Sequence, residues 1–422
     1  MATETIRLRG HIIDSLLLPR VLDEIIAHGG EFEILDIDIG RRREDTSDTH
    51  IRIEVAAQEQ LEGILQKIQR HGAERLEEGD VRLEPAPADG VFPEGFYVTS
   101  NQPTQIRWAG QWLEVHPHRM DSAIVVEPAG RTATIRRFSQ VRRGDKVVVG
   151  NQNVRVLPVG RAVNGGKTET FEFMSSSVSS EKSKSVVIRT IADELRAVKA
   201  NRKRVLMVAG PALVHTGAGR HLIRLMEHGY VDLLFAGNAL AVHDIESAFF
   251  GTSLGIDLKG GVPVEHGHQN HIHAINRIRA LGGIRAAVEK GQLTSGIMHD
   301  CIRLGIDFVL AGSIRDDGPL PEVITDTVEA QGAMAGKMEG NSPSAETWNH
   351  RAGTIGLALM IATMLHSIAV GNLLPAATKT VCVDINPSVV TKLVDRGSFQ
   401  AIGLVTDVEP FFNELLGYLD ES

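Results

Sequence analysis

Two cysteines in 422 residues, Cys301 and Cys382, lie in separate segments and make no C-x-x-C pair, which argues against a disulfide framework and a cysteine zinc site. Long apolar runs are missing too. No stretch approaches the ~18 uninterrupted apolar residues of a membrane span. The longest candidate, residues 355–375 (IGLALMIATMLHSIAVGNLLP), is interrupted by His366 and Ser367 and reads as a buried helix. The N-terminal MATETIRLRGHIIDSLLLPR has charges on both sides of a short apolar run and no small-residue cleavage pattern, which reads as a cytoplasmic protein without a secretory leader. An excess of positive charge is lacking. With 44 Lys and Arg against 53 Asp and Glu, the net charge of -9 gives no field to gather nucleic acid or an anionic membrane. Aromatic residues are only 5% of the chain, and none stands out as a platform for stacking an adenine. What is present, 42% apolar and 23% charged residues, is the composition of a soluble globular protein long enough for two or three domains.

The hydrophobic period changes along the chain. In residues 1–85, TIRLRGHI, FEILDIDIG and HIRIEVAA read as strands of period two, while SLLLPRVLDEIIAHGG and EQLEGILQKIQRHG carry helical spacing. Gly29 and Gly30 fit a helix stop, and GRRREDTSDT fits a hairpin loop. This β-α-β-β-α order predicts a small α+β domain of ferredoxin type. Residues 86–173 carry short runs (FYVTS, QIRWAG, WLEVHP, SAIVVEP, TATIRRF, DKVVVG, VRVLPVG) broken by Gly, Pro, Asn and Asp, which predicts a β-rich module. MSSSVSSEKSKS, residues 174–185, reads as a linker or as an ordered loop beside a ligand. Residues 186–422 then turn to α/β. KRVLMVAGPA, VDLLFAGNAL, GIDFVLAGSI, KTVCVDINP and AIGLVTDVEP are apolar runs ending in Gly, Asn or Asp, as in a parallel sheet buried on both faces.

Ligands of such a sheet bind beyond the carboxyl ends of its strands. After the first strand, Gly217 and Gly219 in TGAG precede a helix, a spacing short of G-x-G-x-x-G that serves a plain turn as well as a phosphate. The second end offers Gly237, Asn238 and Ala239, with Asp244 and Glu246 a turn later. The third offers Gly312, Ser313, Arg315, Asp316 and Asp317. The remaining ends add Asn372, Leu373, Leu374 and Pro375, then Asp384 to Asn386, and Asp407. An acidic residue there accepts a ribose hydroxyl or merely caps a helix; several on one sheet edge point to a ligand cleft.

VPVEHGHQNHIHAINRIRALGG brings His266, His268, His271 and His273 close together at spacings of i,i+2, i,i+3, i,i+5 and i,i+7, without the H-x-x-x-H of a helical zinc site. Ile275, Ile278 and Leu281 predict a packed helix over HAINRIRALGGI, fed by a polar loop. That loop suits proton transfer near neutral pH, with Glu265, His266, His268, Asn270 and His271 as candidates. Solvated surface histidines and a metal site stay open beside it.

GHIIDSLLLPRVLDEIIAHGGEFEILDIDIG, FYVTSNQPTQIRWAGQWLEV and MDSAIVVE resemble the region shared with plant lysine-ketoglutarate reductase/saccharopine dehydrogenase (LOR/SDH). The chain as a whole resembles the archaeal-type ornithine cyclodeaminases, the family that also forms the C-terminal half of cyanobacterial arginine dihydrolase/ornithine cyclodeaminase. AGNALAVHDIE, GNLLPAATK with VDINPS, and VTDVEPFF are similar to the NAD-binding domain of deoxyhypusine synthase, while that enzyme's W-G-K lysine motif has no clear counterpart. The resemblance implies a Rossmann-like domain that holds NAD through Asn238, Ala239, Asp317, Asn372 to Pro375, Asp384 and Asp407.

It also implies conversion of L-ornithine, a basic amino acid, to L-proline and ammonia. That change is redox-neutral, so the dinucleotide takes a hydride from Cα and gives it back. Three tasks follow: a base for the α-ammonium (His268 or Lys259, tuned by Glu265), a partner for the carboxylate (Asn101, Thr104 or Arg315), and an acid for the departing ammonia (His271 or Asp316). A homo-oligomer and no metal are expected. An NAD-dependent amino-acid dehydrogenase, a non-catalytic nucleotide or amino-acid sensor and a metal-dependent hydrolase are the competing classes.

Overall fold

The computed structural model describes residues 2–10, 16–40, 47–69, 71–75, 79–100, 102–117, 119–127, 132–157, 181–257, 267–339, 354–375, 378–396 and 401–421. The chain divides into two compact units, Met1–Met174 and Ser175–Ser422. Of the segment expected to be a linker, residues 174–180 lie outside the described residues, and a helix is already running at Glu181.

The first unit opens with β1 (Ala2–Gly10), α1 (Leu17–Ala27), β2 (Glu31–Asp38), β3 (Ser47–Val55), α2 (Gln58–Gln69) and β4 (Ala73–Arg75). The strands pair antiparallel in the order β2-β3-β1-β4, the ferredoxin-like arrangement. Leu18, Val21 and Ile25 on α1 and Leu61, Ile64, Leu65 and Ile68 on α2 fall at helical spacing and bury against Ile6, Leu8, Ile51 and Ile53 of the sheet.

A second sheet follows from β5 (Arg82–Pro85), β6 (Thr104–Trp108), β7 (Gln111–His116), β8 (Ala123–Val126), β9 (Ala133–Arg136), β10 (Lys146–Val149) and β11 (Val154–Val156), in the order β11-β6-β7-β9-β8-β10-β5. Its first strand starts ahead of the expected change at residue 85. The expected strand FYVTS makes only a bridge from Phe96 to Val149, because its amides go to separate neighbours: Tyr97 donates to the Val148 carbonyl and Thr99 to that of Ser122.

The second unit begins with α3 (Glu181–Ala200), β12 (Arg204–Ala209), α4 (Ala212–His215), α5 (Gly219–Glu227), β13 (Leu233–Gly237) and α6 (Asn238–Phe250). A short hairpin, β14 (Thr252–Ser253) and β15 (Ile256–Asp257), precedes α7 (Gly267–Leu281), α8 (Ile284–Glu289), α9 (Ile297–Leu304), β16 (Asp307–Ala311), β17 (Val323–Ile324) and α10 (Thr327–Glu339). Then come β18 (Ile355–Ile361), α11 (Leu365–Leu373), β19 (Lys379–Asp384), α12 (Pro387–Arg396), β20 (Ala401–Val405) and α13 (Val408–Asp420). The seven-stranded sheet is wholly parallel in the order β17-β16-β13-β12-β18-β19-β20. From β16 to β20 this is the doubly wound Rossmann order, and the direction of winding reverses between β12 and β18. No helix among the described residues is long and apolar enough to cross a membrane.

Two expectations are corrected here. Residues 355–375 are not one buried helix. Ile355–Ile361 is a central strand buried at every position, and only Leu365–Leu373 is helical. A strand covered on both faces has no alternation by which to tell it from a helix. The helix carrying the histidine run also starts earlier than its apolar spacing indicated, at Gly267, so His268, Asn270 and His271 belong to α7 and not to a loop before it.

Candidate functional site

At the reversal point the carboxyl edge of the sheet is lined by glycines with no room for a side chain. A Cβ on Gly210, just past β12, would meet the Ala362 carbonyl oxygen beyond β18 at 1.9 Å. A Cβ on Gly237, the last residue of β13, would lie 2.7 Å from Cε1 of His366, and one on Gly312, past β16, would lie 3.0 Å from the Thr325 Cα. The TGAG pair behaves differently. Gly217, with φ of 77°, faces open space, and a Cβ on Gly219 would make ordinary contact with Ile297 at 3.4 Å. Those two line a separate cavity of about 240 Å³ with Arg220, Asp244 and Gly296. Glycine is therefore sterically required at Gly210, where the obstacle is backbone, and conformationally favoured at Gly217, where φ is positive.

Beside Gly237, the helix α6 begins with Asn238, only 4% exposed. Its side-chain amide donates to the Gly318 carbonyl at 3.2 Å and its oxygen accepts the Leu320 amide at 3.1 Å, which pins the loop after β16. Asp316 in that loop accepts the Ser313 amide at 2.8 Å. Burial pushes the Asp316 carboxyl up, against the Ser313 amide and the Asn238 side chain, and neighbouring Asp317 pushes the same way as burial. His366, in the first turn of α11, is driven down by burial and raised by Asp316. The Ser367 hydroxyl next to it is wholly buried and has no hydrogen-bond partner among the described residues. Ala239 is half-buried in the first turn of α6, while Arg315 is exposed, its amide bonded to the Ser313 hydroxyl.

Imidazoles from three elements gather nearby. His215 of α4 and His243 of α6 meet edge to face with ring centres 4.8 Å apart, and the His271 ring of α7 lies 6.4 Å from that of His243. His271 Nε2 is 3.7 Å from an Asp317 carboxylate oxygen. His215 Nδ1 lies 2.7 Å from the Ser253 hydroxyl, and burial, followed by His243, drives its pKa down to about 4 despite Glu246. Asp244, one residue past His243, serves another purpose: its carboxylate accepts the Ile297 and Met298 amides at 2.7 and 2.8 Å and so caps α9. Burial pushes that carboxyl up to about 7, opposed by the same two amides.

Among the other residues nominated from the sequence, Asp384 ends β19, accepts the Asn386 amide at 2.8 Å and is pushed up by burial. Asp407 caps α13 through the Val408 amide at 2.6 Å. Asn372 to Pro375 need a correction. Asn372 and Leu373 end α11, and Leu374 and Pro375 follow on the way into β19. Thr378 donates its amide to the Pro375 carbonyl and its hydroxyl to that of Ile355, the first residue of β18. These four residues therefore lie at the amino edge of the sheet, roughly 20 Å along the strands from the glycines. Thr104, in the first unit, is 1% exposed and donates its hydroxyl to the Gln102 carbonyl. Lys259, Glu265, His266 and Asn101 lie outside the described residues, and His268 is placed by its backbone alone.

Sequence reasoning passed over Gly210, His215, His243 and His366. His366 did leave a signal, a titratable side chain inside an apolar run. His243 left another, standing i,i+3 from Glu246 on one helix face. Nothing in the sequence announced that His215 would meet them.

Family comparisons divide the chain into three matched stretches: residues 3–102 to the LOR/SDH bifunctional enzyme conserved region, 103–188 to the first C-terminal region of ArgZ-like arginine dihydrolases, and 189–415 to the Rossmann fold of the same proteins. A protein named ornithine cyclodeaminase from Methanopyrus kandleri is 51% identical over 98% of this chain and 96% of its own length. The bifunctional arginine dihydrolase/ornithine cyclodeaminase AgrE of Nostoc sp. is 44% identical over 99% of this chain, which spans 58% of that longer protein. A crystal structure described as the ternary complex of AgrE with ornithine and NAD+ superposes with a TM-score of 0.83 at 42% identity, covering 100% of this chain and again 58% of the other. Matched from end to end in this way, the chain belongs to the ornithine cyclodeaminase family that joins an LOR/SDH-type N-terminal region to an ArgZ-like C-terminal Rossmann fold.

Proposed function

We propose that the chain converts L-ornithine to L-proline and ammonia with NAD+ as a recycled hydride carrier. One structural observation carries the reading: the parallel sheet reverses its winding between β12 and β18, and α6 starts at that edge immediately after β13. A dinucleotide binds in the crevice at such a reversal, and a helix N-terminus such as that of α6 suits its pyrophosphate. The unpartnered Ser367 hydroxyl fits a polar ligand at the same edge. The names of the relatives and of the ternary complex support the same assignment.

When bound, NAD+ accepts a hydride from Cα of ornithine and returns it after ring closure, so no net oxidation occurs. The chain's own residues hold and protonate. Asn238 and Ala239 present the start of α6 to the phosphates, and Asp317, Asp384 and Asp407 are acceptors for ribose hydroxyls. Arg315 offers an exposed cation for the substrate carboxylate. His271 and Asp316 are the described groups placed to return a proton to the departing ammonia; His268 or Lys259, with Glu265, would take the proton of the α-ammonium.

The proposal includes a homo-oligomer. It is supported by the outer strand of the ferredoxin-like sheet, which exposes Ile34, Leu35 and Ile37. Purified protein given ornithine and a trace of NAD+ should release one ammonia and one proline per ornithine without accumulating NADH. Steady NADH accumulation would instead show a dehydrogenase, and NAD binding without turnover a sensor.

A further inference from the structure

Glu246 is the most deeply buried carboxylate among the described residues of the candidate site, with 0% exposure, and its partners there are an imidazole, a hydroxyl and an amide. One of its oxygens is 2.9 Å from His243 Nδ1. The other accepts the Thr252 hydroxyl at 2.9 Å and the Gly255 amide at 3.4 Å. The Thr252 hydroxyl in turn accepts the side-chain amide of Asn270, on α7, at 2.9 Å. A carboxylate taken out of water costs several kcal/mol unless it is hydrogen-bonded throughout, so these contacts fix its position in the fold.

The arrangement has a chemical consequence for His243. A carboxylate accepts hydrogen bonds and cannot donate one, so the ring nitrogen facing Glu246 must carry the hydrogen. In the neutral ring the other nitrogen, Nε2, is then an acceptor. The His243 side chain keeps 11% of its surface, and its ring stands between those of His215 and His271.

We infer that His243, in place of His268 or Lys259 as base and of His271 or Asp316 as acid, is the proton acceptor and donor for this reaction and that Glu246 is its positioning residue, holding the ring in the Nδ1–H form with Nε2 available. The inference rests on the cyclodeaminase reading. The balance closes with water as the only other proton carrier. Nε2 takes one proton from the α-ammonium, and the hydride leaves Cα for NAD+. The δ-ammonium loses a proton to water so that its nitrogen can bond to Cα, and the new ring nitrogen loses a second as the bond from Cα to the α-nitrogen breaks. Nε2 returns its proton to that departing nitrogen, which leaves as ammonia. The hydride returns to Cα, the ring nitrogen of proline regains one proton, and ammonia takes up the other.

The test combines a spectroscopic readout with kinetics on the full chain. Nitrogen NMR on 15N-histidine protein, with the resonance assigned through His243→Asn, should show His243 as the Nδ1–H tautomer, and Glu246→Gln should lose that preference. His243→Asn keeps a donor facing Glu246 but has no acceptor in place of Nε2. It should lower kcat about 10²- to 10⁴-fold with the KM for ornithine changed less than about threefold. Added imidazole should restore part of the turnover of His243→Ala.

A His243→Asn enzyme within threefold of the parent kcat, or a ring protonated at Nε2 in the parent, overturns the inference. If the parent protein does not cyclise ornithine at all, the function reading fails by itself, and the tautomer still reports whether Glu246 sets the ring.

Discussion

The two edges of the parallel sheet use polar residues in opposite ways. At the amino edge, charged side chains close the structure. Arg204, at the start of β12, donates to the Lys337 and Met338 carbonyls and so satisfies the end of α10, and Asp232 accepts the Val205 amide at 2.8 Å. Lys337 pairs with Asp307 at 3.1 Å, and Lys379 with Glu194 at 2.5 Å. At the carboxyl edge the partners are mostly amides and imidazoles. Asn238 and Asp316 hold the loop after β16, Asp384 and Asp407 accept amides at helix starts, and Glu246 faces His243. A charge that meets an opposite charge at a sheet edge signals stability. One that meets only amides or imidazoles keeps hydrogen-bonding capacity for a ligand.

The strongest way to break this contrast is Gly210→Ala. The added methyl would collide with a backbone oxygen at 1.9 Å, which no rotamer change relieves. A loss of more than about 3 kcal/mol in urea unfolding is expected, together with loss of NAD binding. A variant of near-parental stability would mean that β12 and β18 part easily.

Asp244 sharpens the contrast through pH. Its folded carboxyl sits at about 7, well above the ~3.9 of an unfolded chain, so the folded state holds a proton that the unfolded state has released. Its contribution to stability is greatest below the unfolded value, falls as pH rises towards 7, and is level above that. Wild type should therefore lose ground to Asp244→Asn between about pH 4 and pH 7, by about 4 kcal/mol, in paired melting curves. A gap that does not change with pH would show that the Ile297 and Met298 amides keep the carboxylate ionised.

Arg204→Met tests the amino edge. It should cost about 1–2 kcal/mol, because two helix-end carbonyls lose their donor, yet leave the NAD dissociation constant within twofold. A tenfold change in NAD affinity would undo the division of labour between the edges. The smallest effect belongs to Lys379→Met. Its ion pair is partly exposed, so only a few tenths of a kcal/mol should be lost, and less at high salt.

Much of the fold was legible in the sequence. Alternating TIRLRGHI and HIRIEVAA, and helical LLPRVLDEIIA, specify the first sheet and its helices because half-buried elements print their period on the chain. The polar residues ending VDLLFAGNAL and GIDFVLAGSI were equally readable as one edge of the sheet, and Asn238 and Asp316 do meet there. The family resemblance pointed to the same edge, but it also drew in Asn372 to Pro375 from the opposite one.

By itself, then, the sequence determined the kinds of element, the α/β class and the family, since each depends on residues near one another in the chain. The tertiary structure alone decided that Ile355–Ile361 is an inner strand beside β12 and that Gly210 abuts Ala362. It also brought His215, His243 and His271 together from separate helices. The physical reason is the same in each case. A strand buried on both faces carries no period, and contacts across a sheet are set by the order in which strands dock, which no local pattern records.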